Sequence, residues 1–118
     1  MKTVYVIEDD DLLAQHYGRL LKDYKVQVFS NGIDAMRAID KKLPSAIVLD
    51  LMLDGSSGFT LLNELQSYTD TAKIPIIVCS NVANELAGEL QTYGIQAVID
   101  KSTMNADDLR QAIDELTL

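Results

Sequence analysis

Four short stretches of this chain carry side chains that could do chemistry together. Glu8 and Asp9 follow the apolar run Val4-Tyr5-Val6-Ile7, and Asp50 ends the run Ala46-Ile47-Val48-Leu49. Ser80 follows a third apolar run that ends in Cys79, and Lys101 follows Ala97-Val98-Ile99-Asp100. Each sits where a buried β-strand should give way to a loop. Three carboxylates brought within a few ångströms repel one another, so either some hold protons or a cation neutralises them. Mg²⁺ fits best, being hard, oxygen-seeking and content to keep several waters. A carboxylate beside such an ion can act as a nucleophile towards phosphorus. Phosphoryl transfer needs little beyond alignment and neutralisation of the equatorial oxygens. The Ser80 hydroxyl and the Lys101 ammonium suit that second task.

The segments that must position these groups alternate between two periods. Short β-branched runs at Thr3–Ile7, Val26–Phe29, Ala46–Leu49, Ile74–Cys79 and Ala97–Ile99 predict strands. Between and after them, apolar stripes at helical spacing predict helices. The stripes are Leu13/Tyr17/Leu20/Leu21/Tyr24, then Ala35/Met36/Ile39, then Phe59/Leu61/Leu62/Leu65. Leu86/Leu90/Tyr93 and Leu109/Ala112/Ile113/Leu116 complete the set. Asn31 is placed to cap the second helix, and Asn105 or Asp107 the fifth. Gly94 stands where the end of the fourth helix wants a left-handed residue. Pro44 and Pro75 sit at strand entrances, where a missing N–H costs little. Gly55 and Gly58 bracket a polar loop.

Five strands alternating with five helices imply an α/β fold with a parallel sheet covered on both faces. Crossovers must be right-handed, and the expected fold is a flavodoxin-like, doubly wound (βα)5 three-layer sandwich with strand order 2-1-3-4-5. Such sheets bind ligands beyond the carboxyl ends of their strands, where the order reverses. The first and third strands flank that reversal, so Glu8, Asp9 and Asp50 converge with no further assumption.

The bulk numbers bound the rest. At 118 residues the chain reads as a single domain over residues 1–118, able to bury a core without disulfides. A net charge of −8 argues against direct nucleic-acid binding and against docking on an anionic membrane. The apolar runs are too short to span a bilayer, and Met1-Lys2 leads straight into strand-like sequence with no room for a signal peptide. The single cysteine, Cys79, excludes an internal disulfide and suits a reducing cytoplasm.

Glu8-Asp9, Asp50, Ser80 and Lys101, in this order and each at a strand end, resemble the receiver domain of bacterial two-component response regulators. The resemblance covers essentially the whole chain. It implies that Asp50 takes a phosphoryl group from a histidine kinase, a phosphotransfer protein or a small phosphodonor. It further implies that Asp9 binds Mg²⁺ directly, that Glu8 holds it through water, and that the Met52 carbonyl is a third protein ligand. Ser80 matches the hydroxyl that moves onto the phosphoryl group, Lys101 the lysine that pairs with it, and Gly58 a glycine common in the loop after the acceptor. The surface of the fourth helix, fifth strand and fifth helix is then the readout for a downstream protein. The only catalysis implied is that of the domain's own phosphorylation and dephosphorylation.

Several positions depart from the family pattern. Asp54 replaces a frequent proline, and Asn81 stands where a small residue leaves a channel to the acceptor. Val98 replaces a switching aromatic ring, and Ser102 replaces the proline that follows the lysine with a cis peptide. Gln96 and Ala97 replace acids used in dimer contacts. These departures motivate a rival reading, a pseudo-receiver that is not phosphorylated and acts as a protein-interaction module. A Mg²⁺-dependent phosphohydrolase of the haloacid-dehalogenase type would need a second acid at the position of Met52. A nucleotide-binding relative would need a glycine-rich loop after the first strand.

Other residues read plainly. Asp10 and Asp11 form the acidic start of the first helix. His16 is an exposed mid-helix residue, Cys79 a small buried hydrophobe, and Ser80 is also placed to cap the fourth helix.

Overall fold

A computed structural model describes the chain at all positions except 54, 55, 83, 84 and 96. Asp54, Gly55 and Gln96, singled out above, therefore lie outside the described residues. In chain order the elements are β1 (Thr3–Ile7), α1 (Asp11–Leu20), β2 (Lys25–Phe29), α2 (Gly32–Lys41) and β3 (Ala46–Leu49). A two-stranded ribbon follows, β4 (Met52–Leu53) with β5 (Ser56–Ser57), then α3 (Gly58–Gln66) and β6 (Ile76–Ser80). The chain ends with α4 (Ala87–Thr92), β7 (Ala97–Asp100) and α5 (Ala106–Leu116).

The main sheet has the order β2-β1-β3-β6-β7, with every neighbouring pair parallel. Counting its strands alone, that is the expected 2-1-3-4-5. Both faces of the central strands are apolar, as burial under two helix layers demands. Tyr5, Ile7, Ile47, Leu49, Ile76 and Val78 pack towards α2, α3 and α4. The alternating partners Val4, Val6, Ala46, Val48, Ile77 and Cys79 pack towards α1 and α5. Each fully buried Ile or Leu contributes roughly 1.5–3 kcal/mol, and a one-residue slip of register would exchange the two layers.

Local chemistry sets the helix ends. Asp10 caps α1 by accepting from the Leu13 N–H, and Asn31 caps α2 by accepting from that of Asp34. Asn105 caps α5, where Asp108 completes a capping box. Gly94 has φ +73°, the left-handed conformation expected just after α4.

Three expectations need correction. The fourth sheet strand starts at Ile76 rather than Ile74, because Pro75 offers no N–H and serves only through its carbonyl, which accepts from Ile47. It ends at Ser80, which pairs with Asp100 of β7. The fourth helix is six residues long, so Leu86 and Tyr93 flank it rather than belong to it. Gly58 opens α3 instead of bracketing a loop, and the antiparallel pairing of Met52 with Ser57 and Leu53 with Ser56 was not anticipated.

Candidate functional site

The parallel ladder places the acids. β1 and β3 run side by side with Ile7 opposite Leu49, so the residues that follow emerge together. The ladder continues one step beyond the strands, with Asp50 N–H donating to the Ile7 carbonyl at 3.1 Å and Glu8 N–H to that of Phe29 at 2.9 Å. Glu8 is 2% exposed and Asp50 5%, whereas Asp9 faces solvent. One oxygen from each of the three lies within 4.8 Å of the others.

The α3 end is held close to Asp50. A Cβ on Gly58 would stand 2.7 Å from the Asp50 carbonyl oxygen and 2.8 Å from the Leu51 Cα. The Gly58 N–H donates to the Leu51 carbonyl at 2.8 Å. Only glycine lets the helix start against the Asp50 backbone.

Lys101 ties the acids to the far side of the sheet. Its Nζ donates to Glu8 Oε1 at 2.6 Å and to Asp50 Oδ2 at 2.9 Å. The second oxygen of each acid takes a backbone N–H, Asp10 to Glu8 at 3.2 Å and Met52 to Asp50 Oδ1 at 3.1 Å. Burial pulls the Lys101 ammonium down, but hydrogen bonds to Glu8 and Asp50 outweigh it and hold its pKa above the usual lysine value. Burial pushes Glu8 above the usual carboxylate range, and the Asp50 charge adds to it, although Lys101 opposes both. One ammonium thus serves two buried carboxylates, with Asp9 a third nearby. The cluster is short of positive charge, and its all-oxygen donor set suits a hard divalent cation.

Ser80 is fully buried and close to this assembly through its backbone, since its carbonyl accepts from the Lys101 N–H at 3.2 Å. Its Oγ accepts from the Val82 N–H at 3.3 Å and makes no hydrogen bond to Asp50 or Lys101. The expected cap on the fourth helix is absent: α4 starts at Ala87, too far along the chain, and Leu86 precedes it with no side-chain cap. The Ser80 hydroxyl instead closes a local turn. Asn81 is exposed beside it.

Ser102 takes over a local task in place of proline. Its N–H and hydroxyl both donate to Asp100 Oδ1, at 2.9 and 2.6 Å, which holds the Asp100 carboxyl below its usual range. No peptide bond among the described residues is cis. Val98 is 39% exposed on β7.

Behind the acids lies a contact that the sequence did not announce. The Tyr17 hydroxyl and the Cys79 thiol are 3.1 Å apart and buried, and burial pushes both pKa values up. Both residues had been read as core, and their positions on an inward stripe give no sign that they meet. The direct Glu8–Lys101 pair was also not foreseen, although three acids in one pocket are a signal that some base must answer them. His16 is exposed, as expected.

The model of the response regulator receiver domain matches residues 4–114. The chain belongs to that family. It is 30% identical over 77 residues to the phosphate regulon transcriptional regulatory protein PhoB of Rhizobium meliloti, covering 64% of this chain and 34% of that protein. It is 30% identical over 115 residues to the sensor histidine kinase TmoS of Ectopseudomonas mendocina, covering 96% of this chain and 12% of the kinase. The chain therefore spans about a third or less of these relatives. Among solved structures it is similar to the receiver domain of a sensor histidine kinase from Pseudomonas aeruginosa that has magnesium coordinated in its active-site cleft. That likeness has TM-score 0.83 at 21% identity and covers 98% of this chain and 97% of the other. It speaks for the fold, while the acidic pocket at the carboxyl ends of β1 and β3 is read from this chain's own Glu8, Asp9 and Asp50. No helix among the described residues is long and apolar enough to cross a membrane.

Proposed function

We propose that residues 1–118 form a single phosphorylation-switched receiver, in which Asp50 accepts a phosphoryl group from a sensor histidine kinase or a phosphotransfer protein. The observation that carries this reading is the Asp50 carboxylate, buried at the end of β3 and gripped by Lys101 and the Met52 N–H. Those two donors fix the plane of the carboxylate and leave it oriented for attack. In the transfer, an oxygen of Asp50 bonds to phosphorus as the bond from phosphorus to the donor's imidazole nitrogen breaks. Lys101 then turns from the carboxylate to the new phosphoryl oxygens, and the Ser80 hydroxyl leaves its turn to donate to another.

Glu8, Asp9, Asp50 and the Met52 carbonyl would hold Mg²⁺, which when bound neutralises the pocket and the incoming phosphoryl oxygens. Movement of Ser80 and Lys101 pulls on both ends of the segment that carries α4 and β7, so the α4–β7–α5 face is the readout for a downstream protein. The domain works on no separate substrate, binds neither nucleic acid nor membrane directly, and resides in the cytoplasm.

Exposed Asn81 beside Ser80 and the aliphatic Val98 on β7 favour a second reading, a pseudo-receiver that binds partners without phosphorylation. Incubation with acetyl phosphate and Mg²⁺, followed by intact mass measurement, decides between them. The switch requires one added phosphoryl group on the wild type, none on Asp50→Asn, and none with a chelator present. Equal labelling of wild type and variant would refute Asp50 as acceptor. An unlabelled wild type would support the pseudo-receiver.

A further inference from the structure

Away from the acids, α2 and α3 leave a trench on the outer surface. A groove of about 410 Å³ between the two helices is lined by Ile33, Met36 and Leu61. A second hollow of about 240 Å³ is bordered by Leu43 and Tyr68. Asp40 lines both, so the two are neighbours along one face. Ile33 is 67% exposed and Tyr68 60%, and Leu43 is exposed as well. Large apolar side chains gathered in one place on a surface mark a contact more often than the same residues scattered singly.

The charges along the trench say what kind of contact. Arg37, Lys41 and Lys42 line it alongside Asp40, Glu64 and Asp70. That balance of three against three stands out in a chain with 18 acidic and 10 basic residues. None of the six takes part in an ion pair among the described residues, where the ion pairs belong to Lys101 and to Arg110 with Asp107. A partner of one strong charge would be matched by a face of the opposite sign. A neutral face of mixed sign around an apolar spine complements itself, which is the requirement of a two-fold contact between identical chains. It also spares two copies the mutual repulsion that a net charge of −8 imposes elsewhere.

We propose that the α2–α3 trench is the surface by which two copies of this chain associate. A two-fold axis crossing the trench near Asp40 sets the Ile33 end of one copy against the Tyr68 end of the other. Tyr68 then supplies a rigid aromatic anchor at each end of the contact. The acid cluster takes no part in the contact, so the proposal stands apart from the phosphorylation reading.

Sedimentation of the full chain from micromolar to millimolar concentration tests it. The wild type should populate a dimer with rising concentration. Ile33→Asp and Tyr68→Ser should each weaken it by more than about tenfold in Kd, as loss of an interface anchor does. Both side chains are exposed, and amide NMR spectra would verify that the variants stay folded. Arg37→Glu should weaken the dimer too, while Val98→Asp on β7 should leave it intact. A dimer lost with Val98→Asp and kept with Ile33→Asp would overturn the proposal. A monomer at every concentration would overturn it as well, and would leave the trench to a different protein.

Discussion

The β3–α3 side of the molecule and the α4–β7 side are built from the same kinds of element but are held to different standards. β3 is buried at every residue, and α3 buries Gly58, Leu61, Leu62 and Leu65. α3 also starts in backbone contact with Asp50. By contrast, β7 has no fully buried residue, and α4 has six residues, no side-chain cap and one buried side chain, Leu90. The region that holds Asp50 is over-determined, while the region proposed to answer it is lightly held. A switch needs that division, because a segment can shift only if its alternative arrangement lies within a few kcal/mol.

Lys101 crosses from one region to the other, so its removal should have the largest effect. Lys101→Met leaves two buried carboxylates facing each other and should cost about 3 kcal/mol of stability near neutral pH, read by urea unfolding. The Lys101 pKa is raised in the fold, so its contribution is fully present below its ordinary value and is lost as pH climbs through the higher folded one. The wild-type advantage over Lys101→Met should therefore hold steady from pH 7 to about 10 and shrink above about 10.4. An advantage that does not change there would mean that the ion pair does not bridge the two regions.

The glycines offer a sharper contrast at smaller scale. Gly58→Ala should destabilise by about 1–3 kcal/mol, because its Cβ would meet backbone that cannot give way cheaply. Gly88→Ala in α4 meets nothing within 4 Å and should be neutral or stabilising by up to about 1 kcal/mol. Similar costs at the two sites would erase the distinction drawn between the regions. The subtlest expectation concerns amide hydrogen exchange. The β3 and α3 amides should exchange only through global unfolding, whereas α4 amides should open locally at lower free energy.

Much of this was legible in the sequence, and the reasons are physical. Strand runs with both faces apolar and helix stripes at regular spacing left few topologies, and the strand order brought Glu8, Asp9 and Asp50 together before any coordinate was known. Three features escaped. The length of α4 depends on packing against the sheet rather than on its Leu86/Leu90/Tyr93 stripe. The Glu8–Lys101 pair depends on the reach of one flexible side chain across the sheet. The fit of Gly58 against Asp50 depends on how closely two backbones approach, which spacing along a chain does not encode. The expected Ser80 cap failed for a simpler reason: the fourth helix begins later, so the hydroxyl closes a turn instead.

The central claim is that phosphorylation at Asp50 is felt in α4. An amide NMR titration with Mg²⁺ and then beryllofluoride, on wild type and Asp50→Asn, tests it most directly. The account predicts Mg²⁺ shifts centred on Glu8, Asp9 and Asp50, then beryllofluoride shifts that spread through Ser80 and Lys101 into α4 and β7 in the wild type alone. Beryllofluoride shifts confined to the acids, or identical in Asp50→Asn, would contradict it.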